Sequence, residues 1–297
     1  MKSKATRLAA TNATPRHAAR YPFMLPVRRQ IADQIRDVVG SDRIDLSRPP
    51  GDDGLFGPGS ATWAVHGDFT AMMAGGIASL LIQMLHPAAL AGVWDHSDFR
   101  RDMAGRLRRT AGFISVTTYG STEAAERMIA RVRAVHTRVK GSLPDGTPYA
   151  ADDPHLLTFV HAAEVDSFLR AHRTYRDPAF PDARADQYLA EMATLARRLG
   201  AQDVPEDRQQ LARFLASVRT ELRVDARTRV VARTLLNQPA PSPALAPVSK
   251  WLTQAGIALL PDWAARLHGF DATSAMRPAI RLGTRQLGGA IRWALAG

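Results

Sequence analysis

The sequence predicts an all-α protein: a single helical domain preceded by a loosely ordered N-terminal arm. Apolar residues recur at helical spacings of three and four through most of the chain. No strand-like alternation persists long enough to suggest a sheet, and proline and glycine punctuate the breaks between helical stretches. At 297 residues the chain is long enough to bury a substantial core without covalent staples. It contains no cysteine, which excludes disulfides, cysteine-held zinc and iron–sulfur clusters.

Residues 1–50 are the expected arm, carrying one short amphipathic helix in VRRQIADQIRDVVG, where Ile31, Ile35 and Val38 or Val39 fall on one side. The helical domain is expected over 51–297, entered through the loop SRPPGDDGLFGPGSA. Its most apolar segment, FTAMMAGGIASLLIQMLHPAALAGVW (Phe69 to Trp94), has the length of a membrane span. Gly75, Gly76, Gln83 and His86 interrupt it, and Pro87 should kink or end the helix, so a buried central helix is the better expectation. Gly75, Gly76 and Ala78 would let a flat ligand or another backbone come close.

In the next periodic stretch, Ser121 or Thr122 is placed to cap a helix whose first turn carries Glu123 and Glu126. Met128, Val132, Val135, His136 and Val139 form its apolar face, and Gly141 is the expected stop. Arg127, Arg131, Arg133 and Arg138 occupy the remaining arc. In DPHLLTFVHAAEVDSFLRAH, Leu157, Val160, His161 and Phe168 share a face, with Glu164 on its edge. The proline-rich NQPAPSPALAP is a connection rather than a hinge, and the tail beyond it returns to helix.

The net charge of +11 invites a nucleic-acid partner. The arginines are spread along the chain and no nucleic-acid motif appears, so none is expected. Anionic partners, including peripheral contact with a membrane surface, stay open. The N-terminus is positive but lacks an apolar core of signal-peptide length, and Arg28-Arg29 precedes no apolar stretch, which makes the cytoplasm the expected location.

Inward histidines are the chemical clue. His136 and His161 sit on apolar helix faces, where a packed core residue, a general base and a metal ligand are all possible. A di-iron site would want repeated Glu-x-x-His pairs, whereas His161 and Glu164 come in the reverse order. His86, before Pro87, suits a buried hydrogen-bond partner. In GRLRRTAGFISVTTYGSTEAA, Arg106 and Thr110 lie four apart and share a helix face, with Arg109 one turn from Arg106. An arginine beside a hydroxyl can orient an anion, a peroxide or dioxygen; a solvated cluster is the alternative.

In order and spacing, the blocks LFGPGSATWAVHGD, LLIQMLHPAALAGVWDHSDFR, RLRRTAGFISVTTYGS, VRAVHTRVKG, LLTFVHAAEVDSFLRAHRTY and DQYLAEMATLARRLG resemble the MpaB-like oxygenase family. That family includes the latex-clearing proteins, and the resemblance covers roughly residues 54–236. It implies one b-type haem enclosed between helices, with His136 as the iron's proximal ligand and Arg106 and Thr110 on the distal side. Where one rubber oxygenase has a distal lysine, this chain has Arg109, which does not deprotonate and is a very poor ligand, so an open distal position is implied. The glutamate attributed to rubber cleavage has no counterpart near Leu90, which makes rubber an unlikely substrate. His161 stands as the alternative ligand or its neighbour, and His66 and His86 as further pocket residues.

The expected function is therefore a haem b-dependent oxygenase or related oxidoreductase acting on an apolar small molecule with dioxygen or peroxide. A haem-binding sensor or carrier without turnover is the alternative, and a cofactor-free scaffold on an anionic surface is a third. Oligomeric state is not readable from the sequence.

Overall fold

The structure, a computed structural model, describes residues 48–270 and 275–295. The helix expected in VRRQIADQIRDVVG, and nearly all of the arm, lie outside the described residues. Among these, twelve α-helices and one small hairpin follow in chain order. They are α1 (Ala61–His66), α2 (Phe69–Gln83), α3 (Pro87–His96), α4 (Phe99–Tyr119), α5 (Thr122–His136), β1 (Lys140–Ser142), β2 (Pro148–Ala150) and α6 (Pro154–Ala171). After a π turn at His172–Arg176 come α7 (Asp182–Leu199), α8 (Arg208–Ser217), α9 (Ala226–Leu236), α10 (Ala246–Leu259), α11 (Asp262–His268) and α12 (Arg277–Leu295).

Helix α2 is the centre of the fold, packed between α6 and α10. Asp68 starts it by accepting from the Ala71 N–H, and Ala71, Ala74, Ala78 and Leu81 are fully buried along it. Gly75 resolves the question of its small residues. A Cβ there would meet the Phe168 ring at 2.8 Å and the Ser167 carbonyl at 3.1 Å, so the glycine serves the close approach of α6 rather than a ligand.

The apolar segment Phe69–Trp94 divides as Pro87 requires. Helix α2 ends at Gln83, and α3 leaves at 103° to it, capped by His86, whose Nδ1 accepts the Ala88 N–H at 3.2 Å. Among the described residues no single helix is long and apolar enough to cross a membrane.

Helix α5 is capped by Ser121, whose hydroxyl accepts the Ala124 N–H, and it ends at His136, five residues before the expected stop. Gly141 instead lies in β1, opposite Tyr149 of β2, where any side chain would strike the Tyr149 ring. Strands of three residues are too short to register as alternation, which is why the hairpin left no sequence signal. The apolar face of α5 also divides. Ala125 and Ile129 are buried, Ile129 beside Leu189 of α7, while Val132 and His136 on the same side are only half-buried. Val135 is exposed, and with His136 and Val139 it borders a cavity.

The C-terminal helices belong to the same body. Helix α10 packs on α2, and α12 packs on α10, α2 and the π turn. The buried Asp68 carboxylate accepts from Arg292 of α12 at 2.6 Å, tying the end of the chain to the start of α2.

Candidate active site

Helices α2 to α6 and α9 meet around a cavity of about 290 Å³. Its walls are mostly apolar, with Leu80, Met84, Leu90, Val93, Val160 and Leu235 among them. The polar groups facing it include His136, Arg106, His96 and Gln83.

His136 is the last residue of α5, so the end of that helix aims an imidazole into apolar surroundings. Its Nδ1 is buried and has no hydrogen-bond partner. Burial holds its pKa below the usual histidine value, against the opposing pull of Asp152, so the ring is neutral at pH 7. A neutral imidazole carries one N–H and one lone pair, and whichever of the two sits on Nδ1 finds no hydrogen-bond partner inside the protein.

Arg106 reaches the same cavity from α4. Burial lowers its pKa, helped by the charge of Arg109, yet an arginine so placed is still a cation. Among the described residues no carboxylate pairs with it. Arg109 and Thr110 point elsewhere. Arg109 is exposed and sits 3.5 Å from Asp102, while Thr110 is exposed and its hydroxyl donates to the Arg106 carbonyl at 3.3 Å. Arg106 thus lines His136's cavity, whereas Thr110, one turn further along the same face, lies outside the lining and is exposed.

The other histidines separate by whether their nitrogens are used. His66 is buried, with Nδ1 2.9 Å from the Thr118 hydroxyl and Nε2 3.1 Å from the Tyr188 hydroxyl. Burial pushes its pKa down to about 3. His86 spends one nitrogen on its cap and the other on Glu221 at 3.2 Å. Both are held by structural bonds and neither borders the cavity. His161 is buried on α6 but does not line the cavity; its Nε2 is unpartnered and burial lowers its pKa to about 4.

Glu164 lies one turn beyond Val160 on α6 but does not line the cavity; its charge acts on Tyr188 of α7. Its neighbours Ala163 and Val165 are sealed, but Glu164 keeps some solvent access, and desolvation raises its pKa to about 7. No hydrogen-bond partner is recorded for this carboxyl among the described residues. A carboxyl so placed exchanges its proton near neutrality.

His96 and Gln83 are cavity residues that sequence reasoning did not select. His96 ends α3, with its Nε2 3.1 Å from the Lys140 carbonyl, a contact made by the hairpin the sequence did not reveal. Gln83 closes α2 and bonds the Ser79 hydroxyl at 2.7 Å. Neither lies in a pattern that periodicity alone distinguishes.

Among the described residues no three histidine, aspartate or glutamate side chains converge well enough to hold a bare metal ion. One neutral imidazole in an apolar cavity suits instead a prosthetic group that brings the remaining ligands itself.

Fold and cavity together define the class: a helical protein whose central helices border an apolar pocket with one unpartnered imidazole and one partly buried cation. The chain belongs to the family of the ER-bound oxygenase mpaB/B' and rubber oxygenase catalytic domain, whose model matches residues 63–293. It is an oxygenase-type catalytic domain by that membership. The match runs on through the proline-rich connection into α12, well past the segment ending near residue 236 on which the resemblance rested. No curated protein and no solved structure matches the chain.

Proposed function

We propose that this domain is a haem b-dependent oxygenase or related oxidoreductase acting on an apolar small molecule, with His136 as the axial ligand and the opposite face open. The observation that carries the reading is the unpartnered, buried Nδ1 of His136 in an apolar cavity that also receives Arg106. The donor set fits haem: a neutral imidazole and apolar walls for the macrocycle. Bound haem would supply the redox chemistry with dioxygen or peroxide.

The chain's own residues then have separable tasks. Apolar walls select an apolar substrate and exclude water. Arg106 holds positive charge where negative charge develops on the oxidant, without reorganising. Thr110 acts only if α4 turns its hydroxyl inward, since it is bonded to the Arg106 carbonyl on the exposed side. Arg109, paired with Asp102, takes no ligand role.

Haemin titration followed by visible absorption tests the reading. The wild-type chain is expected to develop a Soret band with a one-to-one end point, and His136→Ala to lose axial ligation. An unchanged spectrum in His136→Ala, with loss in His161→Ala, would move the ligand to α6. No Soret band in the wild type would refute haem binding altogether.

A further inference from the structure

Tyr149 carries an arrangement that the proposed site does not use. It sits in β2 opposite Gly141, whose missing side chain leaves room for the phenol across β1. The residue is 6 % exposed, and its hydroxyl donates to the Asp95 carboxylate of α3 at 2.6 Å. Burial, and then Asp95, push its pKa up to about 12, so the proton rests on the phenol at neutral pH. Asp95 itself is exposed and can exchange a proton with water.

The same ring lies beside the cavity. Tyr149 clusters with Ala91 and Leu143, and the cavity residues Ala88 and Val139 pack on that cluster. The imidazole of His96, another cavity residue, meets the Tyr149 ring edge to face, with centroids 6.3 Å apart. One layer of side chains thus separates a buried phenol from the cavity, while its proton acceptor faces water. The other tyrosines among the described residues lack this combination. Tyr175 donates to the Ala255 carbonyl at 2.8 Å, a poor base, and the Tyr119 hydroxyl has no hydrogen-bond partner among the described residues. Tyr188 meets His66 at 3.1 Å, but protonating that buried imidazole would create an enclosed cation, whereas protonating Asp95 neutralises a charge.

We propose that Tyr149 is a redox-active tyrosine, with Asp95 as its proton acceptor, that draws one oxidising equivalent out of the cavity. The inference rests on the haem reading. Hydrogen peroxide, reduced to the oxidation level of water, oxidises the bound haem by two electrons, and Tyr149 returns one of them. Its O–H bond breaks, the proton forms an O–H bond on Asp95, and a neutral phenoxyl radical remains. The test is electron paramagnetic resonance of the haemin-loaded full chain, frozen rapidly after mixing with equimolar hydrogen peroxide. The wild type should give a tyrosyl signal, Tyr149→Phe should lose most of it, and Tyr119→Phe should keep it. Asp95→Asn retains an accepting oxygen but no basic one, and should slow the appearance of the signal at least about ten-fold. In the wild type a nitrone spin trap should mark the tryptic peptide 141–170, whose sole tyrosine is Tyr149. The Soret band of each sample separates this inference from the haem reading. With the band present, an unaltered signal in Tyr149→Phe, an unmarked peptide or no tyrosyl signal in the wild type would overturn the inference and leave the haem reading standing. Without the band both fall.

Discussion

His136 and His161 each keep a buried ring nitrogen without a partner, whereas His66 and His86 have both nitrogens engaged. That difference separates ring nitrogens available to a ligand from ring nitrogens engaged by the fold. It also sets the pH response. His66 and His161 are folded with pKa values near 3 and 4, below the unfolded value of 6.5. Their neutral burial favours the fold fully above about pH 6.5, and that contribution is lost as pH falls toward those folded values. Glu164 runs the other way: its folded pKa of about 7 exceeds the unfolded 4.5, so its contribution is present below pH 4.5 and lost as pH rises through 7. Urea denaturation from pH 5 to 8 should therefore show Glu164→Gln gaining stability over wild type as pH rises, by up to about 3 kcal/mol. A pH-independent difference would remove the raised carboxyl. Arg106→Ala should leave haemin uptake nearly intact but slow the reaction of the reconstituted protein with peroxide by about ten- to a hundred-fold, measured by stopped-flow absorbance.

At the scale of elements, the fold depends on how closely α6 and α10 approach α2. Gly75→Ala would drive a methyl group against the Ser167 carbonyl and the Ala171 Cβ. Overpacking of about 1–3 kcal/mol should outweigh the roughly 1 kcal/mol gained in helix propensity, lowering the urea midpoint. Asp68 joins two elements at once: one oxygen caps α2 and the other accepts from Arg292 of α12. Asp68→Asn retains a capping oxygen but leaves the arginine without its counter-charge, and is expected to cost about 3–5 kcal/mol in the same measurement. An unchanged midpoint would show that α12 is held by its apolar face alone.

For the whole molecule, the cavity links cofactor binding to stability. Haemin bound to the folded chain alone should stabilise it by about 2.7 kcal/mol at a hundred-fold excess over the dissociation constant, seen as a raised melting temperature. His136→Ala should lose most of that gain while melting close to the wild type without haemin, because its ring is only half-buried and unpartnered.

Helical class, the break at Pro87, the cap at Ser121 and the inward side of His136 were legible in the sequence, because each follows from local rules of spacing, ring geometry and capping. The family blocks added Arg106 as its companion. What periodicity could not show is whether an inward side chain meets a neighbour or a space. That depends on where other helices stop: α5 packs through Ile129 and then borders a cavity at His136, and the same face of α4 lines the cavity at Arg106 but is exposed one turn on at Thr110. The unused nitrogens and the raised pKa of Glu164 are likewise properties of what surrounds each residue. Local chain chemistry determined the helices; only their packing decided which polar groups were left without partners.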